Sequence, residues 1–153
     1  VEGTAAPRLA LSVQVAPEAG DCPADRSQLR RWARAALSRD AVLALRVVGR
    51  AEGRALNRDF RGKDYATNVL TFAYDEGGAG DGPVRADIVV CLPVVLREAR
   101  AQRKTQRDHL AHLVVHGVLH AQGMDHEHDA EARAMESRET EILRRFRIAD
   151  PYR

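Results

Sequence analysis

The apolar positions of this chain change period along its length, and the changes mark out its elements. Leu9, Leu11, Val13 and Val15 alternate with Ala10, Ser12 and Gln14, the two-residue repeat of a half-buried strand. Residues 1–8 read as a loose terminus and residues 17–23 as a loop. Leu29, Trp32, Ala33, Ala36 and Leu37 then fall at helical spacing, with Asp25 or Ser27 placed to cap the start. Residues 42–48 are aliphatic and β-branched and predict a second strand; residues 51–58 predict a short helix and residues 68–72 a third strand. Residues 75–83 carry four glycines and no core residue, the composition of a mobile loop. Residues 86–92 are mostly apolar, as a central strand should be.

Pro93 opens the next helix. Thr105 with Asp108 resembles the N-terminal cap of a further helix. In it His109, His112, His116 and His120 share one stripe, while Leu110, Leu113, Val114 and Val118 supply apolar contacts. Asp129 is placed to cap a last helix bearing Ala132, Met135, Ile142, Leu143 and Phe146. Glu139 interrupts that apolar stripe; a partly exposed carboxylate is the expectation, and support of a nearby histidine is the alternative. No repeat or internal boundary divides the chain, so residues 1–153 read as one domain.

Composition narrows the class. At 153 residues, 44% hydrophobic and 30% charged, the chain fits a soluble globular protein. No apolar run approaches a membrane span and no signal-peptide pattern opens the chain, so no membrane partner is expected. Cys22 and Cys91 lack C-x-x-C spacing and read as free thiols in a reducing cytoplasm. The net charge of +2 does not by itself indicate nucleic acid. Arg97, Arg100, Arg103, Lys104 and Arg107 do cluster; a solvated helix face is the usual meaning, a phosphate-facing patch the alternative. All six histidines lie between His109 and His128.

That bias centres on residues 116–126. His116 and His120, four apart, present both imidazoles on one helix face, close enough to share a metal ion. Gly123 is able to end the helix in a left-handed conformation, letting the chain double back and offer His126. Three neutral nitrogens and one open position describe a catalytic zinc site rather than a closed structural one. His128 is an alternative third ligand, but the H-x-x-x-H-x-x-G-x-x-H spacing favours His126. The spacing is that of the metzincin proteases, whose helix reads H-E-x-x-H with Glu as general base. Here Gly117 occupies that position, so the usual protease base is missing. A helical glycine costs about 1 kcal/mol relative to alanine, and two reasons would justify it: close approach of another segment, or room for a bulky substrate.

Two further segments carry a resemblance. Residues 56–72, LNRDFRGKDYATNVLTF, are similar to the L-N-x-x-[YF]-R-G-K-D-x-P-T-[ND]-V-L-[ST]-F segment of the YbeY endoribonucleases. Residues 86–90 resemble their G-D-I-V-I strand, and His116 to His126 matches their H-G-x-L-H-x-x-G-x-D-H signature. Residues 135–143 also look like their closing helix. The departures are Ala66 for proline and Ala86 for glycine, both backbone-shaping positions. The resemblance implies a zincin-like α+β fold, with a mixed four-stranded sheet packed with helices that include the metal-binding one. It implies a zinc-dependent, single-strand-specific endoribonuclease of ribosomal RNA maturation, at the 3′ end of the small-subunit RNA, and of ribosome quality control. The partners implied are single-stranded RNA, the small ribosomal subunit and its assembly factors. His116, His120 and His126 are the implied ligands of one zinc ion, and Arg61 is the implied functional cation.

Charge then shapes the expected chemistry. Zinc lowers the pKa of bound water from about 15.7 toward 7, and attack on a phosphodiester builds negative charge that Arg61 is suited to meet bidentately. Lys63 is a second such cation or an ordinary loop lysine. Asp125 orients a ligand imidazole or stabilises the turn, and His112 is an auxiliary active-site group or a hydrogen-bonded core histidine. No general base stands out; the attacking group is water or the RNA 2′-hydroxyl. A metzincin-like peptidase and an assembly protein with structural zinc are the competing readings.

Overall fold

The structure, a computed structural model, describes residues 6–74 and 82–153. Residues 75–81 of the expected mobile loop and residues 1–5 of the expected loose terminus lie outside them. Four strands form one sheet: β1 (Leu9–Val15), β2 (Ala41–Val48), β3 (Val69–Ala73) and β4 (Val84–Cys91). Their order is β1-β2-β4-β3, with β1, β2 and β4 parallel and β3 antiparallel to β4. The mixed sheet follows from the connections. A helical crossover between β1 and β2 makes that pair parallel, and β3, entered after the next helix, runs against β4, which leaves β4 parallel to β2. The apolar run of β4 is explained by its place between β2 and β3, covered on both faces. Ala86, where the resembled family has glycine, sits in regular register with Leu43 and Ala73.

Among the described residues, five α-helices complete the α+β fold: α1 (Arg26–Ala35), α2 (Arg50–Arg61), α3 (Leu92–Ala101), α4 (Gln106–Ala121) and α5 (Asp129–Arg144). Asp25, not Ser27, caps α1, accepting from the Gln28 amide at 2.8 Å. The expected loop at 17–23 contains a 3-10 turn, Pro17–Ala19. The second helix is longer than its pattern predicted. Arg61 is its last residue, and Gly62, at φ 69°, terminates it in a left-handed conformation. One capping expectation is corrected: Asp129 is the first residue of α5, and His128 occupies the cap position without a side-chain cap. Asp129 and Glu131 act instead through the helix dipole, which favours acids in the first turn.

The main core lies on the α4 face of the sheet. Leu110, Val114, Val115 and Val118 of α4 pack with Leu45, Ile88 and Val90 of the strands, Trp32 of α1 and Leu143 of α5. Burying one such side chain contributes about 1.5–3 kcal/mol, so α4 is fixed against the sheet along its length. A smaller cluster on the opposite face joins Val48, Leu70, Val89, Cys91 and Val94, in the alternation a strand imposes.

At Gly117 the helix α4 packs tightly on the sheet. A Cβ there would lie 2.8 Å from Ile88 Cγ2 and 3.4 Å from Val69 Cγ2. Close packing, rather than room for a substrate, accounts for this glycine. No helix among the described residues is long and apolar enough to cross a membrane.

Candidate functional site

The site begins with how α4 is started and stopped. The Thr105 side chain accepts from the Asp108 amide at 3.0 Å, as the cap pattern predicts. At the other end Gly123 takes φ +99°, and its amide and that of Met124 return to the carbonyls of His120 and Leu119. Gln122 pins this end to α1, donating to Ala36 O at 2.7 Å and accepting from Ser38 N at 2.7 Å. The reversed chain brings the His126 ring to 5.5 Å from that of His116 and 6.1 Å from that of His120. His116 and His120 are 6.4 Å apart, centre to centre. All three line one cavity of about 260 Å³. His128 does not join them: its side chain is exposed, beside Glu131.

Behind the histidines stands a carboxylate of α5. Glu139 is fully buried, not partly exposed. Its Oε2 accepts from His116 Nδ1 at 2.8 Å, and its Oε1 accepts from His112 Nε2 at 2.7 Å and from the Tyr152 hydroxyl. Burial alone would raise this carboxyl, but the hydrogen bonds from His112, His116 and Tyr152 outweigh it and hold it at about 2. The Tyr152 hydroxyl is pushed up, first by burial and then by Glu139. An ionised carboxylate only accepts, so His116 must carry its proton on Nδ1 and keep the Nε2 lone pair for the cavity. The sequence signal was the carboxylate interrupting the apolar stripe of α5. Tyr152 carried none.

His112 lies outside the cavity lining, held by Glu139 and Tyr152. The His120 ring has no hydrogen bond among the described residues. Burial pushes its pKa below the ordinary value; His116, His126 and Arg61 push the same way, and Asp125 opposes them. The neutral imidazole that results is the form that binds metal. A donor atom from each of His120, Asp125 and His126 falls within 4.8 Å of the others. Asp125 therefore stands close enough to be a donor itself, besides accepting from the His126 amide at 2.6 Å. His116, expected as a ligand, lies outside this close group, although its ring lines the same cavity, 5.5 Å from that of His126. Imidazole and carboxylate donors of this kind suit zinc and its neighbours among the divalent transition metals.

The cavity lining also includes Arg61, the last residue of α2, and Lys63, Tyr65 and Thr67 of the turn between α2 and β3. Buried Asn57 organises this turn, donating to Tyr65 O at 2.7 Å and accepting the Lys63 amide on its own carbonyl at 3.3 Å. The acidic neighbours are already engaged. Asp64 receives Arg54 bidentately at 2.8 and 3.0 Å, and Asp59 pairs with Arg58. Arg61 and Lys63, both exposed, form no ion pair among the described residues and line the same cavity as the histidines. The cluster from Arg97 to Arg107 lies at the other end of α4, and none of it lines the cavity. Its Lys104 donates to Pro151 O at 2.8 Å.

Comparison with known proteins connects this arrangement to a family. The profile of the family described as Endoribonuclease YbeY matches residues 16–147. A relative from Methylibium petroleiphilum, named Endoribonuclease YbeY, is 54% identical over 148 residues, covering 97% of each chain. One of the same name from Azoarcus sp. is 58% identical over 152 residues, covering 95% of this chain and 60% of the relative. A third, from Cupriavidus pinatubonensis, is 60% identical over 128 residues, 84% of this chain and 63% of its own. The chain thus spans about three fifths of the length of the last two. Among solved structures, the solution structure of TM1509 from Thermotoga maritima matches with a TM-score of 0.56 and 25% identity, over 90% of this chain and 91% of that one. More than half of its residues are shared with a relative of nearly its own length, and the profile runs from before α1 to beyond α5, so this chain belongs to the YbeY family.

Proposed function

We propose that this protein is a zinc-dependent endoribonuclease that cuts single-stranded RNA. Its place is in the cytoplasm, in maturation of the 3′ end of the small-subunit ribosomal RNA and in ribosome quality control. Its partners are the small ribosomal subunit and associated assembly factors, and residues 1–153 act as one catalytic domain. The observation that carries the reading is one cavity whose lining joins three imidazoles with two cations that have no ion-pair partner among the described residues. A metal site alone fits many hydrolases. Free guanidinium and ammonium groups in the same cavity fit a phosphodiester.

His116, His120 and His126 would hold the ion, with Asp125 steadying the turn that carries His126. Bound zinc supplies Lewis acidity toward a phosphoryl oxygen and an activated water at neutral pH. Glu139 keeps the His116 proton on Nδ1, so the ligand nitrogen always faces the cavity. Arg61 takes the phosphate through its planar fork as negative charge accumulates, and Lys63 adds a second, more flexible charge. Gly117 speaks against the peptidase alternative, because a glutamate at that position would have to displace Ile88 and Val69.

The test sets single-stranded RNA beside casein, each incubated with the same zinc-loaded protein. RNA cleavage that stops with a chelator and returns with zinc is the expected result. Casein cleavage with RNA intact would refute the proposal.

A further inference from the structure

Tyr65 shares the cavity lining with Arg61 and Lys63 but does no visible work for the fold. Its side of the turn is exposed, at 57% of its full accessible surface, and its hydroxyl has no hydrogen bond among the described residues. The contrast with Phe60, another exposed aromatic of this region, is informative. Phe60 packs edge-to-face on Phe72 at 5.3 Å, whereas Tyr65 has no ring partner among the described residues. Yet the backbone beneath Tyr65 is held firmly. Asn57, only 2% exposed, donates to its carbonyl, and the bidentate Arg54–Asp64 pair fixes the residue before it. An unpartnered aromatic on a pinned turn, beside two free cations, matches the physics of single-stranded nucleic-acid binding. Cations track the backbone, and aromatic faces take unstacked bases.

We infer that Tyr65 is a base-stacking residue. It seats a nucleobase adjoining the phosphate held by Arg61 and Lys63, and so helps select single strands. A base inside a duplex is already stacked on its neighbours and is not free to lie on the tyrosine ring. The inference rests on the ribonuclease reading above and specifies how that site recognises its substrate. Stacking uses the π-face that every base offers, so Tyr65 confers preference for unpaired strands with little preference for sequence.

The experiment measures cleavage kinetics of the zinc-loaded protein on a single-stranded oligoribonucleotide, its duplex, and a series with one abasic residue moved along the strand. Tyr65→Ala is expected to weaken use of the single strand by about 5- to 150-fold, the range measured for one stacked base. The loss should fall on KM more than on kcat, with an unchanged melting temperature. Tyr65→Phe and Tyr65→Trp should keep the wild-type KM, since both retain a ring. In the wild type one abasic position should reproduce the loss, and Tyr65→Ala should lose nothing further on that substrate. If the wild type cleaves RNA and Tyr65→Ala does so with unchanged KM, the stacking role is overturned while the ribonuclease reading stands. A wild type that leaves RNA uncut overturns both.

Discussion

Replacing Gly117 by alanine tests whether close packing sets the position of the histidine helix. The added Cβ would lie 2.8 Å from Ile88 Cγ2, against a comfortable separation of about 3.5–4.0 Å. Ile88 cannot step aside easily: it is 1% exposed, lies on β4, and is paired with Leu45 on one side and Thr71 on the other. Overpacking of this kind costs about 1–3 kcal/mol. Alanine returns about 0.5–1 kcal/mol through helix propensity. The balance is a net loss near 1 kcal/mol, and at most about 2.5 kcal/mol on the same figures. Urea unfolding at constant m reads it as a lowered midpoint. An Ile88→Ala background sharpens the test. With Cγ2 gone, the same Gly117→Ala change should become stabilising by about 0.5–1 kcal/mol. Zinc affinity should fall in the single variant, because lifting α4 moves His116 and His120 together while His126 stays with the loop. Gly117→Ala stabilising the protein with Ile88 intact would refute the reasoning, as would the same sign in both backgrounds. Gly117→Glu, which writes the protease motif into the helix, should unfold the protein rather than create a peptidase.

Arg61→Ala should keep zinc, fold and melting temperature, since Asp59 and Asp64 are paired with Arg58 and Arg54, and should lose about 10²–10³ in RNA cleavage rate; Arg61→Lys should recover only part of it. Metal analysis should find zinc lost from His116→Ala and His120→Ala and retained in His128→Ala. Glu139→Gln should weaken zinc by about 10- to 100-fold in chelator competition, and an unchanged affinity would mean that the His116 proton is fixed by something else. Burial lowers the pKa of His109, against the opposing pull of Glu98, so the unfolded chain takes up this proton first as the solution is acidified. Its contribution to stability is therefore present above the unfolded value, about 6.5, and lost as pH falls below it. His109→Gln should flatten that part of the urea-midpoint profile, and an unaltered slope would exclude the contribution.

Much of the fold was legible because its periods were clean. The alternation of β1 and the aliphatic runs of β2 and β4 each lie where they were expected. The three cavity histidines were legible for the same reason, since helical spacing and a turn glycine are local facts. What escaped was set by distant contacts. Glu139 looked like an exposed interruption because its partners His112 and His116 lie more than twenty residues away. Tyr152 joined it through the packing of the chain end, which no periodicity records. Gly117 had two explanations until Ile88 of β4 was placed against it. Arg61 could have been neutralised by either neighbouring aspartate, and only the observed pairs of Arg54 and Arg58 leave it free.

The four histidines of the α4 stripe differ in what holds them, and the difference orders their roles. His109 gives Nε2 to Glu98 of α3 at 2.9 Å, and its buried Nδ1 has no partner. Glu98 also accepts from Asn68, which lines the cavity, so this first histidine braces α3 and the entry to β3 against α4. His112 likewise gives Nε2 to a carboxylate and leaves Nδ1 buried without a partner. Such a ring is locked, with no nitrogen presented to the cavity. His116 is intermediate: one nitrogen is tied to Glu139 and the ring lines the cavity. The His120 ring makes no hydrogen bond among the described residues and lines it too. Along one helix face the imidazoles thus pass from anchored to free as they approach Gly123. An ionised carboxylate buried without partners would cost several kcal/mol, so His112 and His116 satisfy Glu139, while His109 holds the half-buried Glu98. Those carboxylates in turn hold the wall from which the later rings reach out. A polar stripe inside an apolar core is stable here because its buried end is paired, and it is useful because its other end is not.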